Sequence, residues 1–197
     1  MCDATVKNQS DANNIALARV RWILNQGTAT YPIPPYFVLS SAIMEDKVAA
    51  KAPWYDGYPA VKFQDVPFLV RSDFLRMIHS GASPGQDFLL VDLRKNDHVG
   101  GTIHGSLNLP AQSLYPSLPT LYAIVKAAKI PRVIWYCGSS RGRGNRAAGW
   151  FQDLLIEKGD HDIASLVLVE GIAGWVKGGA EYTKLIDEYD PEAWHKD

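Results

Sequence analysis

Short apolar runs of strand length alternate with segments of helical periodicity from residue 61 onward, and this alternation restricts the fold more than any other feature. The predicted strands lie at residues 87–93, 105–110, 132–137 and 165–170. The predicted helices lie at residues 72–79, 119–129, 144–158 and 182–189. Because strands that alternate with helices are typical of a parallel sheet covered on both faces, the sequence predicts a three-layer α/β domain with a mainly parallel central sheet.

The first sixty residues follow a different pattern, and five prolines interrupt them between residues 32 and 59. An amphipathic helix is predicted over residues 11–24, and a short helix over residues 41–51. We therefore expect an N-terminal extension, residues 1–60, that packs on a main domain formed by residues 61–197.

Three aromatic residues near the end of this extension, Trp54, Tyr55 and Tyr58, have two interpretations. They either pack over a helix of the main domain or form a lid that shapes a pocket for an aromatic or hydrophobic substrate. Packing is the preferred interpretation.

Composition excludes several classes of protein. The chain is 47% apolar and 21% charged with a formal net charge of -1, which is typical of a soluble globular protein and lacks the basic excess of a nucleic-acid binder. Two cysteines, Cys2 and Cys137, are too few for a disulfide framework and indicate a reducing compartment. Because neither a signal core nor a long apolar stretch is present, we expect a cytoplasmic or nuclear protein with no membrane partner, and the oligomeric state is left open.

Cys137 stands where a predicted strand ends and a predicted helix is about to begin, in the stretch "WYCGSSRGRGNR". Ligands of open α/β sheets bind at the carboxyl ends of strands. The seven residues from Cys137 to Arg143 can curl so that backbone N–H groups point inward, and the following helix adds the positive end of its dipole. Such a cradle binds an oxyanion and favours the thiolate form of the cysteine.

The other loop residues have expected roles in this cradle. Arg143 is placed to hold an oxyanion by two parallel hydrogen bonds. Gly138 and Gly142 are expected to adopt backbone angles that a side chain would obstruct. Ser139 and Ser140 are expected to donate hydrogen bonds to the thiolate, to the bound anion or to a leaving group.

Two interpretations are possible for Arg141 and for Arg146: each contacts a ligand, or each is a solvated charge near the start of the helix. Arg141 is counted with the substrate-binding residues. The alternative for Cys137 is an inert, buried cysteine. Three arginines in one short segment are costly to gather without an anion to bind, and this favours the functional interpretation.

Two further motifs resemble signatures of the rhodanese-like superfamily. "FLLVDLRKNDHVGGTIHGSLNLP", residues 88–110, resembles its first signature, and "LVLVEGIAGWVKGG", residues 166–179, resembles its closing one. With the cysteine loop they cover residues 61–179 in the expected order. The resemblance implies a rhodanese-like fold in which Asp92 and Arg94 brace the loop as a buried ion pair, and it implies no metal.

Loop length separates the chemistries of that superfamily. Sulfurtransferases typically have six loop residues, whereas the cell-division-cycle dual-specificity phosphatases and the related fungal arsenate reductases have seven with arginine last, as from Cys137 to Arg143. The resemblance implies that Cys137 is the nucleophile and Arg143 the oxyanion clamp of a phosphatase or arsenate reductase. The substrate would be a small anionic or phosphorylated molecule, with no cofactor except glutathione or a glutaredoxin as the reductant of arsenate.

The sequence departs from that branch in two ways. Tyr136 stands where histidine is usual, and the loop contains no acidic residue to protonate a leaving group, a function worth about 10²–10⁴-fold in rate. The second departure favours arsenate reduction. Candidate proton donors outside the loop are Glu45, Asp46, Asp56, His98 and His104. A sulfurtransferase, a domain repurposed for small-molecule biosynthesis and a non-enzymatic anion-binding module remain the alternatives.

Overall fold

Residues 52–194 are described by the computed structural model of this chain. Their strands are β1 (Phe68–Leu69), β2 (Leu89–Asp92), β3 (Thr102–Ile103), β4 (Ser106–Asn108), β5 (Arg132–Tyr136), β6 (Ala164–Leu168) and β7 (Ile186–Asp187). Their α-helices are α1 (Arg71–His79), α2 (Ala111–Leu114), α3 (Leu118–Ala127), α4 (Arg143–Lys158), α5 (Gly171–Val176) and α6 (Ala180–Thr183). Within this range no helix is both long and apolar enough to cross a bilayer.

Five of the strands form the central sheet in the order β1-β6-β5-β2-β4, and every neighbouring pair is parallel. The β5 strand lies in the middle, where Trp135 is in register with Val91 of β2 and Val167 of β6. A central strand is covered on both faces, which explains its unbroken apolar sequence. The carboxyl ends of β2 and β5 therefore lie side by side.

Alternate residues of β5 face two separate hydrophobic cores. Val133 and Trp135 belong to a core covered by α2, α3 and α4. Ile134 and Tyr136 belong to a second core, covered by α1 and α5. Helices on both faces of a parallel sheet make three layers, so the predicted α/β class is confirmed.

The predicted final helix over residues 182–189 is wrong. Helix α6 ends at Thr183, and the chain then forms β7, which pairs antiparallel with β3 so that Ile186 lies opposite Ile103. Glu188 follows with a left-handed φ of 54°, which a right-handed helix cannot contain. Burial of Ile186 through long-range pairing therefore overrides the local periodicity.

For the helix predicted over residues 72–79 the sequence also predicts Ser72 or Asp73 as the N-cap, and this prediction is wrong. Helix α1 begins at Arg71, and Val70 occupies the N-cap position without a side-chain hydrogen bond, so neither Ser72 nor Asp73 caps it. Asp73 instead forms an ion pair with Arg76 at 2.6 Å. The short elements β1, α2 and α5 were not predicted, because a few residues give no clear periodicity.

Residues 52–60, which the sequence assigns to the extension, pack on the first core. The Tyr58 hydroxyl donates to the backbone carbonyl of Gln112 at 3.2 Å, and the Trp150 indole N–H donates to the Pro59 carbonyl at 2.8 Å. The Trp54 ring meets the Trp150 ring edge to face at 6.1 Å. Aromatic packing against α4 is thus observed, while the predicted helices at 11–24 and 41–51 lie outside the described residues.

Candidate active site

Cys137 directly follows β5 at the carboxyl edge of the sheet, and α4 begins six residues later at Arg143. Gly142 precedes the helix without a side-chain cap, so the first N–H groups of α4 remain available at the loop. Cys137 is 3% exposed and lies in a pocket of about 380 Å³. The lining residues are Trp54, Tyr55, Gln112, Cys137, Ser139, Gly142, Arg143 and Arg146.

The start of helix α5 orients the first peptides of the cysteine loop. The Ile172 N–H donates to the Cys137 carbonyl at 3.1 Å, and the Ala173 N–H donates to the Gly138 carbonyl at 2.9 Å. Since the C=O and N–H of a planar trans peptide point in opposite directions, the N–H groups of the two following residues point away from α5. This close approach needs Gly171, where a Cβ would lie 2.1 Å from the Cys137 carbonyl oxygen.

Ser140 completes the turn around the sulfur. Its backbone N–H donates to Cys137 Sγ at 3.2 Å, and its hydroxyl accepts from the Cys137 N–H at 3.3 Å. The left-handed residue of the loop is Ser140, with φ 55°, and neither Gly138 nor Gly142 has a positive φ. A Cβ at Gly142 would meet nothing within 4 Å, so the expected steric need for glycine at these two positions is wrong.

Arg143 is held by Asp97, which the sequence interpretation did not include. Arg143 Nη1 donates to Asp97 Oδ1 at 2.8 Å, and Nη2 donates to Oδ2 at 2.5 Å. These hydrogen bonds hold the pKa of the Asp97 carboxyl well below its usual range and raise the pKa of Arg143, to which the nearby Cys137 sulfur also contributes. The signal in the sequence was topological, since Asp97 follows β2 and β2 neighbours β5.

Asp92, at the end of β2, and Arg94 form a buried ion pair. Arg94 Nη2 donates to Asp92 Oδ2 at 2.6 Å, and neither side chain is more than 1% exposed. The same Nη2 donates to the Gly101 carbonyl at 2.6 Å, and Nη1 donates to the Val99 carbonyl at 3.3 Å. The buried pair is present as the resemblance implied, but these hydrogen bonds hold the segment that carries Asp97, and so the expected direct brace on the cysteine loop is corrected.

Tyr136, at the position where histidine is usual, points away from the sulfur into the second core. Its hydroxyl lies 2.8 Å from the hydroxyls of both Thr102 and Ser106 and accepts from the Ile103 N–H at 3.2 Å. Burial is the main cause that raises the pKa of Tyr136, so the phenol stays neutral. The side chain joins β5 to β3 and β4.

The two candidate histidines lie outside the pocket. His98 Nε2 is 3.4 Å from Asp92 Oδ2, and His104 Nδ1 is 2.8 Å from Asp187 Oδ1 at the exposed β3–β7 ribbon. Neither residue lines the cavity around Cys137. Both side chains are therefore assigned to contacts with carboxylates.

Among the described residues the candidate carboxylates also lie outside the pocket. Asp56 lines a neighbouring groove of about 610 Å³, whereas Glu45 and Asp46 lie outside the part of the chain that the structure describes. Asp97 bonds to the loop arginine, and its lowered pKa keeps it ionised. No described carboxylic acid or histidine that lines the pocket can protonate a leaving group.

The remaining predicted residues divide between the pocket and the groove. Ser139 lines the pocket, and the exposed Arg141 lines the groove. Arg146 lines both, with its guanidinium carbon 3.5 Å from the centre of the Tyr55 ring. Between residues 52 and 194 neither arginine forms an ion pair.

Solved structures identify the fold, although no family model and no curated protein matches the chain. The chain is similar to Ygr203w, a yeast protein tyrosine phosphatase of the rhodanese family, with 23% identity, a TM-score of 0.57 and coverage of 68% of this chain and 99% of that one. A second structure of Saccharomyces cerevisiae Ygr203w, a homologue of single-domain rhodanese and the Cdc25 phosphatase catalytic domain, has 23% identity and a TM-score of 0.50. The match covers 66% of this chain and 92% of that one. An As-Sb reductase from Leishmania major has 19% identity and a TM-score of 0.48, and the match covers 54% of this chain and 74% of that one.

The two Ygr203w matches establish that this chain has the rhodanese-like fold. The resemblance implied by the motifs at residues 88–110 and 166–179 is thereby confirmed at the level of the fold.

Proposed function

We propose that the chain is a cysteine-dependent phosphatase that attacks a tetrahedral phosphate ester with the sulfur of Cys137. The observation that carries the proposal is that Cys137 shares one pocket with Arg143 and the loop residues Ser139 and Gly142. The Ser140 N–H lies 3.2 Å from Sγ, and Arg143 and the start of α4 lie on the same side of the loop. N–H groups at a helix start and a guanidinium can hold an oxyanion beside the sulfur.

In the proposed reaction the Cys137 sulfur forms a bond to phosphorus while the bond from phosphorus to the leaving-group oxygen breaks. The leaving group departs with the electron pair, and a phosphocysteine remains. Water then attacks phosphorus, the S–P bond breaks, and phosphate leaves as the thiolate returns and the water proton passes to phosphate or solvent. Loop N–H groups and Arg143 bind the equatorial oxygens, which carry the developing charge.

Asp97 leaves one edge of the Arg143 guanidinium available to bind phosphate oxygens. The carboxylate occupies the edge formed by the two Nη atoms. A guanidinium has five N–H donors, so the edge formed by Nε and one Nη still offers two parallel hydrogen bonds. Asp97 therefore positions the guanidinium without blocking it.

Arsenate reduction is the second candidate, because it does not require a protonated acid and none lines the described pocket. Cys137 would add to arsenic with loss of water, and two thiols would then reduce As(V) to As(III) as they are oxidised to a disulfide. Glutathione or a glutaredoxin would supply that reductant. The seven-residue loop disfavours a sulfurtransferase.

Three parallel assays separate these reactions. We expect hydrolysis of p-nitrophenyl phosphate above the background of the Cys137→Ser variant, and little reduction of arsenate in the presence of glutathione. Reduction of arsenate without phosphate release would transfer the assignment to the second candidate. Thiocyanate formation from thiosulfate and cyanide would favour a sulfurtransferase, and activity in none of the three assays would leave a non-enzymatic anion-binding module.

Asp97→Asn is expected to lower kcat/KM for p-nitrophenyl phosphate by about tenfold, because the guanidinium loses its fixed orientation. Asp97 is 49% exposed, so the free energy of unfolding should change by less than about 1 kcal/mol. Glu170→Gln is the matched control, since Glu170 pairs with Arg71 at 2.6 Å on the same edge of the sheet without lining the pocket. Equal losses in the two variants would contradict a positioning role.

The pH dependence supplies an independent check of this role. Arg143 lowers the pKa of Asp97 below its ordinary value of 3.8. The Asp97 carboxylate is therefore ionised and paired with Arg143 at every pH above 3.8, and the pair is lost only as the pH falls through the lowered pKa. The wild-type kcat/KM profile should therefore show no Asp97 titration between about pH 5 and pH 8. A fall in this range that disappears in Asp97→Asn would oppose the assignment.

A further inference from the structure

The wall that faces the cysteine loop is aromatic. Trp54 and Tyr55 line the same cavity of about 380 Å³ as Cys137, and their rings meet edge to face at 5.4 Å. Pockets of about 300–1,000 Å³ are typical of small organic ligands. A free tetrahedral anion has only five heavy atoms, so this space suits an anion that carries an organic group.

This wall is held in place before any ligand binds. Trp54 packs on Trp150 at 6.1 Å, and Tyr58 lies between Trp150 at 5.8 Å and Tyr115 at 5.1 Å. The Arg146 guanidinium covers one face of the Tyr55 ring. A preformed surface costs little ordering on binding, and aromatic rings recognise other rings by stacked or edge-to-face contact.

A second groove adjoins the pocket. The groove of about 610 Å³ shares Tyr55, Gly142 and Arg146 with the pocket. Its lining is mixed and includes the apolar Val61, Phe63 and Phe68 beside the polar Gln64 and Asn145. Substituents on a ring bound at Tyr55 would therefore have room to extend into this groove.

The absence of an acidic side chain or histidine from the described lining of the pocket favours the same kind of substrate. No described carboxylate or histidine lines the pocket, and the neighbouring Asp97 is kept ionised by its hydrogen bonds to Arg143. An aliphatic alkoxide leaves poorly without an acid, because its alcohol resembles water with a pKa of about 15.7. A phenol ionises with a pKa of about 10, so a phenolate can leave without protonation.

We propose that the substrate is a phosphorylated phenol whose ring lies against Trp54 and Tyr55 while its phosphate occupies the loop from Cys137 to Arg143. The inference rests on the phosphatase function proposed above and names its substrate class. Two sources share this chemistry, a small phenolic molecule and a phosphotyrosine side chain.

Binding measurements test the ring site independently of catalysis. We expect (naphthylmethyl)phosphonic acid, whose P–C bond cannot be hydrolysed, to bind wild-type protein at least about tenfold more tightly than inorganic phosphate does. Trp54→Leu should remove most of that preference and leave the Kd of inorganic phosphate within about twofold. Tyr122→Leu is the matched control, because Tyr122 is another half-buried aromatic residue packed on the first core but lies outside the pocket. An equal preference in wild type and Trp54→Leu would overturn the ring site.

A leaving-group series tests the second half of the inference. Across substituted phenyl phosphates, log kcat should fall steeply as the pKa of the phenol rises, because no acid offsets the charge of the leaving oxygen. A flat dependence, or hydrolysis of an alkyl phosphate at a comparable rate, would overturn the substrate class. Absence of hydrolysis with every ester, combined with the expected phosphonate preference, would instead reject the phosphatase function and retain the ring site.

The two sources of the ring are compared by kcat/KM. A small naphthyl phosphate that is turned over at least as well as a phosphotyrosine peptide assigns the site to small phenolic molecules. A peptide preferred by more than about tenfold assigns the ring to a protein side chain. If both are poorer substrates than an alkyl phosphate, neither source is correct and the inference fails.

Discussion

Cys137→Ser is expected to lower the turnover of p-nitrophenyl phosphate by about 10⁶-fold, the order of magnitude measured when an enzyme loses its nucleophile. The serine hydroxyl can still accept the Ser140 N–H that lies 3.2 Å from the sulfur, so the loop should keep its shape. It stays protonated, however, and no described base lines the pocket to activate it. The measurement is kcat in a continuous absorbance assay.

Two controls separate loss of the nucleophile from loss of the site. Cys2→Ser removes the other cysteine and should retain full activity. Cys137→Ser should bind inorganic phosphate within a few-fold of wild type, since the loop N–H groups and Arg143 remain. In the Cys2→Ser background, alkylation at neutral pH should be fast and slowed by phosphate. A Cys137→Ser variant that keeps a tenth of the wild-type rate would exclude sulfur as the nucleophile.

The central sheet could be predicted because its strands obey a simple physical rule. A strand buried on both faces must be apolar at successive positions, and β5 shows this from Val133 to Tyr136. The helix predicted over residues 144–158 ends at Gly159, which adopts the left-handed φ of 63° that is common for a glycine at a helix end. Local rules of this kind need no knowledge of the rest of the chain.

The β7 strand could not be predicted in the same way. It has two residues, and its conformation depends on Ile103, which lies more than eighty positions earlier in the sequence. Local periodicity carries no information about such a partner, and the helical interpretation was therefore wrong.

In the candidate site, too, the local features could be predicted from the sequence and the long-range contacts could not. The cysteine, the arginine and their spacing are local, so the loop was found as one segment. Asp97 is 46 positions away from Arg143, and only the order of the strands brings the two together. The left-handed angle at Ser140 was also missed, because non-glycine residues adopt it only where surrounding contacts compensate for the strain. Here the Ser140 N–H and hydroxyl both bond to Cys137.

Asp92→Asn is expected to lower the free energy of unfolding by about 3–5 kcal/mol, because it leaves the guanidinium of Arg94 buried without a counter-charge. Both side chains are at most 1% exposed, and Asp92 accepts hydrogen bonds from Arg94 and from the Thr102 hydroxyl. Since native domains are stable by about 5–15 kcal/mol, this is a large fraction of the total. Urea titration measures the loss, and the midpoint of thermal unfolding should fall by about 6–20 °C.

Asp73→Asn provides the matched control for burial, since Asp73 and Arg76 form an ion pair of the same 2.6 Å length with side chains 48% and 78% exposed. Its cost should stay below about 1 kcal/mol, because water solvates whichever partner remains. The double variant Asp92→Asn with Arg94→Met should recover part of the loss, since no buried charge is then left unpaired. Activity should remain low in that double variant, because Arg94 no longer holds the carbonyls of Val99 and Gly101 and the loop that carries Asp97 loses its brace. Recovery of stability and activity together would contradict this assignment and make the buried pair a contributor to stability alone.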